Sequence, residues 1–293
     1  MIDLAVLALV QGLIQGLMLF LLSSGLSIVY GWMGILNFSH SAFYMGGAYV
    51  AYALSPILGW WGAWLASVLF MGVLGAGVHR LLIQPLHRHG GHMSELLLTF
   101  GLLFLSGELV RWIWGSATLS YPLPDFLASV TFVDLSPWGL SPARLLTMAV
   151  AFGVLISLAV WLRYTRWGVV FRALKTQPKM LESLGYPVQT VLTVVFGLGC
   201  ALAGLSGVLT MLTMPLQPTM AMSMGALLFV VVVSGGLGSL WGTWWASLMI
   251  GQLYAWSALL PVPGLSSWAP VLPLLWMAWR LSRNGDPIHR DGV

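Results

Sequence analysis

Charge is what this sequence has least of. Only 7% of its 293 residues are Asp, Glu, Lys or Arg, against roughly 25% in an ordinary soluble domain. So few charges cannot cover a globule of this size with a solvating surface, which excludes an ordinary soluble enzyme. The 59% of hydrophobic residues exclude a disordered chain. Twelve Lys and Arg against eight Asp and Glu leave a net charge of +4. They are too scattered to form a phosphate-neutralising face, so nucleic acid is not an expected partner. Cysteine is nearly absent. Cys200 alone excludes an intrachain disulfide and a cysteine-cluster metal site. There is no Gly-x-x-x-x-Gly-Lys-Ser/Thr loop, and Lys175 and Lys179 are the only lysines, so the chain shows no site for ATP. There is no His-Glu-x-x-His and no close carboxylate pair inside an apolar run, the groups that metal-dependent hydrolysis and proton coupling need. Met1-Ile2-Asp3 is no basic n-region, and the apolar stretch after it is too long for an h-region. It reads as a retained anchor.

What is present is apolar length. Mean hydropathy is +0.91. Continuous rather than alternating runs exclude a transmembrane β-barrel and predict an all-α polytopic membrane protein. Runs fall at 4–29, 41–57, 60–78, 95–113, 142–162, 189–213, 222–236, 241–259 and 266–281. Some are short or broken by Gly and Pro, so the expected count is eight or nine. Nine spans put Arg80, Arg88, Arg163, Arg166, Arg172, Lys175, Lys179, Arg280, Arg283 and Arg290 on the cytoplasmic side, leaving Arg111 and Arg144 near the outer face. The positive-inside rule then predicts N-terminus out and C-terminus in. Tryptophans at 60, 61, 64, 112, 114, 241, 244, 245, 276 and 279 cluster at span ends and read as interfacial anchors.

Within this frame a few segments carry chemistry. The loop 163–188 holds five Lys and Arg. Burying them would cost about 12–17 kcal/mol at 2.5–3.5 kcal/mol each, so it lies outside the hydrocarbon. It predicts an amphipathic turn or two over Gly168–Leu174 and a second short helix opened by Pro178 and closed at Gly185. Two roles are open for it: docking another protein, or resting on anionic lipid. The segment Gly31–Ser41 breaks two apolar runs with Asn37, Ser39 and His40. It is either a broken helix aiming amide donors at a substrate carboxylate, or a turn in which Asn37 or Ser39 caps the next helix. His40 alone reads as a structural histidine. Gly235–Gly242 sits at a similar junction. Gly12 and Gly16, and Gly199, Ala203 and Gly207, recur at intervals of four and predict close helix packing. Gln11 and Gln15 share a face, to bond a neighbouring helix or to line a cavity. Glu108 and Arg111 predict a local ion pair. His79, His87, His89 and His92 read as a solvated face.

In order along the chain, Gly25–Gly31, Gly34–His40, Tyr44–Tyr49, Leu98–Leu102, Glu108–Arg111, Thr165–Gly168, Arg172-Ala173, Leu184-Gly185 and Ala201–Leu209 resemble the permease subunits of branched-chain amino-acid ABC importers, the LivH type. The resemblance covers nearly the whole chain. It implies one transmembrane permease domain over 1–293, itself non-catalytic and binding no cofactor, in a bacterial inner membrane. The implied partners are ABC ATPase subunits that use ATP and Mg, a second, different permease subunit, and a periplasmic substrate-binding protein. It also implies that loop 163–188 docks the ATPase through Arg166, Gly168, Arg172, Ala173 and Gly185, and that Asn37, Phe38, Ser39, His40 and Gln15 border the substrate pathway. Ser39 and Ser41 flank the histidine where the family often has Ala and Gly, and Leu181-Glu182-Ser183 replaces a usual small Ala. Those departures leave urea, short amides or other amino acids open as substrates. An ATP-independent carrier or channel is the rival from another class.

Overall fold

The computed structural model describes residues 2–89, 91–122, 124, 127, 141–259, 275, 276, 278 and 279; for 2–4, 88, 89, 92, 172, 175, 176, 178 and 259 it describes the backbone alone. The last expected run, 266–281, lies almost wholly outside them. The described residues form helices and no strand: α1 (Ile2–Met33), α2 (His40–Val78), a five-residue π-helix (His79–Ile83), α3 (Gln84–His89), α4 (His92–Trp114), α5 (Pro142–Tyr164), α6 (Arg166–Thr176), α7 (Pro178–Ser183), α8 (Val188–Met211), α9 (Met220–Gly235) and α10 (Leu240–Leu259). Among the described residues, five stretches are long and apolar enough to cross a membrane: Ala5–Met33, His40–His87, Met93–Trp114, Pro142–Tyr164 and Val188–Met211. The chain is an all-α polytopic membrane protein.

The helix boundaries follow from local chemistry. α1 stops at Gly34, whose φ of +68° favours glycine and whose N–H donates to Tyr30 O. α2 turns back on itself at Gly59, also at φ +68°, so 40–58 and 60–78 are two antiparallel arms. Ser67 Oγ donates to Gly47 O at 2.6 Å across them. The expected division into 41–57 and 60–78 holds. Pro85 has no N–H to give and its ring crowds the preceding turn, which accounts for the π-helix just before it. Ser141 and Pro142 start α5 as cap and first residue.

α8 is the most buried of the long helices and both arms of α2 wrap it. Its glycines let backbones meet. A Cβ on Gly207 would strike Tyr44 O, one on Gly204 would strike Met71, and one on Gly199 would strike Val29 and Gly25 O. Gly12 and Gly16 serve α1 the same way against α10, where Gly251 enters between them and Gln252 Nε2 donates to Leu9 O at 3.0 Å. Leu119 and Leu216 exchange backbone hydrogen bonds, tying the segment after α4 to the link between α8 and α9.

Two expectations are corrected. Not all the tryptophans are lipid anchors. Trp61, Trp112, Trp241, Trp245 and Trp279 are exposed, but Trp60 and Trp244 are buried, and Trp64 and Trp114 pack against the core. Facing aromatic partners decide this: Trp60 packs on Tyr121, Trp114 on Tyr49 and Trp244 on Phe20. The histidines are not one solvated face. His79 is buried with Nδ1 2.9 Å from Thr193 Oγ1, and His87 pairs with the buried Glu95. The expected Glu108–Arg111 pair forms at 2.6 Å.

Candidate functional site

Asn37 and Ser39 shape the break between α1 and α2. Asn37 is buried, and its Oδ1 accepts from Ser39 N–H at 3.0 Å and from Ser39 Oγ–H at 2.6 Å. The side chain thereby closes the turn that starts α2, while its Nδ2 has no partner. Of the two readings open for this segment, the turn matches the geometry: Ser39 takes the cap position of α2, and Asn37 holds Ser39 in place from two residues before it. Phe38 stacks between Phe100 of α4 and Phe229 of α9, at centroid distances of 4.1 and 5.3 Å. Ser39 borders an apolar crevice between α2 and α4. His40 is fully buried, its ring leaning on the α1 backbone at Leu22 and Gly25 without a well-formed hydrogen bond.

The second break meets the first. Gly236 and Gly238 take φ of +93° and +76° in the turn between α9 and α10. A Cβ on Gly238 would collide with Gly31 Cα, so only glycines allow this turn to touch the end of α1. Thr243 Oγ1 donates to Ser27 Oγ at 3.1 Å just inside. The two junctions, read in the sequence as merely similar, are packed against each other.

Gln15 lies deeper, away from Asn37, Phe38 and Ser39. With Tyr44, Ser206, Thr210, Met224 and Tyr254 it lines a cavity of about 110 Å³ among α1, α2, α8, α9 and α10. No Asp, Glu, Lys or Arg lines it. Gln15 Oε1 is a buried acceptor without a donor. The Tyr44 hydroxyl faces Thr210, whose Oγ1 donates to Ser206 O at 2.8 Å. His40 stands one helical turn before Tyr44, and Leu22 belongs both to its contacts and to the lining. The cavity suits an aliphatic side chain carried beside a small hydrogen-bonding group. Sequence reasoning found Gln15 but missed Tyr44, Ser206, Thr210 and Tyr254. The four-residue spacing of Ser206 and Thr210 in an apolar run was the available signal. Among the described residues no group of three or more His, Cys, Asp or Glu could hold a metal ion.

The basic loop folds as two helices, as its residues predict. Thr165 caps α6, its Oγ1 accepting from Gly168 N–H at 3.1 Å. Pro178 is first in α7, and Gly185 follows it at φ +83°. The inner face of this elbow is packed: Val170, Phe171, Leu174 and Leu181 are buried against Ile28 of α1 and Val188, Val191 and Val195 of α8. Phe171 stacks on Trp32 at 4.7 Å, with planes 15° apart. Ala173 joins that face half-buried. Gly168 is buried too, and a Cβ there would strike the Leu162 carbonyl. Arg166 and Gly185 are exposed. The side chain of Arg172 lies outside the described residues. The outer face exposes Trp167, Val169, Met180, Leu184 and Tyr186.

No solved structure matches the chain. It is 28% identical to the high-affinity branched-chain amino acid transport system permease protein BraD of Pseudomonas aeruginosa, over 85% of each chain. It is 26% identical to the protein of the same description, LivH, of Salmonella typhimurium, over 81% of each. It is 24% identical to a probable branched-chain amino acid transport permease protein LivH of Methanocaldococcus jannaschii, over 80% of this chain and 75% of that one. Residues 8–278 match the family described as branched-chain amino acid transport system, permease component, and the chain belongs to that family.

Proposed function

We propose that this chain is the membrane permease subunit of an ATP-driven ABC importer for branched-chain or related aliphatic amino acids. It acts in the inner membrane with two ABC ATPase subunits, a second permease and a periplasmic binding protein. ATP and Mg belong to the ATPase subunits. One domain spans 1–293, with 163–188 as its docking elbow, and the chain crosses nine times, N-terminus out and C-terminus in. α1, the two arms of α2, α4, α5, α8, α9 and α10 account for eight crossings, and the ninth is the run expected from the sequence at 266–281, nearly all of it outside the described residues.

The elbow is the observation that carries this reading. One face is buried on α1 and α8, while the other leaves Trp167, Val169, Met180, Leu184 and Tyr186 exposed beside Arg166. A partner that moves the elbow pushes through Phe171 on Trp32, next to the turns at Gly34 and Gly238 that end α1 and lead into α10. Those turns close one end of the helices that surround the cavity. Rocking them apart gives alternating access, with Gln15 and Tyr44 meeting the substrate and Asn37, Phe38, Ser39 and His40 forming the hinge below it. The apolar lining favours an aliphatic amino acid over urea or a short amide.

The test is gentle solubilisation of native membranes containing the tagged protein. An ATPase subunit co-purifies with the native chain. Met180→Glu with Leu184→Glu, which charges the outer face only, leaves membrane insertion unchanged and releases it. Recovery of the native chain without an ATPase, even after crosslinking, would transfer the function to an ATP-independent carrier.

A further inference from the structure

α5 is held to the bundle at its start, where Ala143, Thr147 and Ala151 are buried. Beyond them it stands away from α1 and leaves a groove of about 570 Å³. Phe20, Leu155 and Leu158 line the groove's deep end, and Trp32, Arg163 and Trp241 its mouth. Along α1 the lining runs from Phe20 to Trp32, about 18 Å at 1.5 Å per residue. That is close to one leaflet of a hydrocarbon core about 30 Å thick. The mouth therefore falls at headgroup depth, where tryptophan rings favour the interface. Arg163 is exposed there, its guanidinium 5.7 Å from the ring of Tyr164 and in no ion pair among the described residues. The ion-paired carboxylates among the described residues, Glu95 and Glu108, both sit on α4. Arg166 is exposed at the start of α6, just past the extended Thr165.

We propose that this groove binds one anionic phospholipid, its acyl chain between α1 and α5 and its headgroup phosphate on Arg163. Three features converge on that occupant: an apolar slot one leaflet deep, an aromatic rim, and an unneutralised guanidinium at the mouth. Basic pockets between membrane helices select anionic headgroups in this way. A bound lipid would also fill the wedge that separates α5 from α1 and so fix where the elbow begins.

The full chain is exchanged into phosphatidylcholine nanodiscs containing phosphatidylglycerol, and the retained lipid is counted by native mass spectrometry. The native protein retains phosphatidylglycerol in preference to phosphatidylcholine. Arg163→Gln reduces that preference about fivefold, Arg163→Lys keeps it, and Ala159→Phe, which fills the groove, removes retained lipid of both kinds. Equal retention of the two lipids by the native chain overturns the proposal, as does a preference unchanged in Arg163→Gln. A cysteine placed at Ala159 that crosslinks to another polypeptide overturns it in favour of a protein occupant.

Discussion

Asn37 shows how one amide can hold a broken helix in place. Its Oδ1 takes both the N–H and the hydroxyl of Ser39, so the residue that leads into α2 does not leave its N–H orphaned. Losing a capping acceptor costs about 1 kcal/mol. Asn37→Ala should lower thermal stability in detergent by about that amount, and Asn37→Ser, which retains a short acceptor without a charge, should recover most of it. Equal losses in both variants would transfer the role to Nδ2, which faces no partner, and make Asn37 a pathway residue first. The choice between cap and substrate contact was open in the sequence because Asn serves both uses equally well. Gln15 was legible for a different reason: an amide in an apolar run must bond a neighbour or face a cavity. Tyr44 and Tyr254 gave no such signal. A tyrosine in a span is ordinary, and what makes these two notable is that α2 and α10 bring them to the same space.

At the scale of elements, punctuation residues made the elbow readable. Pro178 at a helix start and Gly185 at a helix end have backbone requirements that tertiary packing does not change. The packing of Phe171 on Trp32 joins elements far apart in sequence, and no local pattern announces it. Gly168 belongs to both levels. It reads as part of a family motif, and in the fold it is the point where α6 presses on the last turn of α5, against the Leu162 carbonyl. An added side chain must push the two helices apart, and such overpacking costs about 1–3 kcal/mol. Gly168→Val should therefore lower the unfolding temperature and shift the elbow while leaving helix content unchanged by circular dichroism. Gly153 is the control. It lies on the same α5 with nothing near the position a Cβ would take, so Gly153→Ala should keep or raise stability. Equal effects of the two variants would mean that the α5–α6 contact does not restrain the elbow.

For the whole molecule, the contacts in the fold group the same helix ends that the proposed crossing order groups. Counting from N-terminus out, the end of α1, the α9–α10 turn and the elbow all fall on the inner side, and they are the parts that touch: Gly31 on Gly238, Trp32 on Phe171. The segment after α4, the α2 bend and the α8–α9 link all fall outside, and they touch too: Leu119 with Leu216, Tyr121 with Trp60. A wrong crossing count between these pieces would separate partners that are packed together. Contact fixes which pieces share a side, and the basic residues decide which side is which. Chemistry can test the direction cleanly because Cys200, the chain's one cysteine, is fully buried and contributes little background. Ser116 and Ser183 are both exposed, at opposite ends of the bundle. In intact cells stripped of their outer membrane, a membrane-impermeant maleimide should label Ser116→Cys at once and Ser183→Cys only after permeabilisation. The reverse order would invert the molecule, placing the elbow where no ATPase could reach it, and the docking role would fall with the orientation.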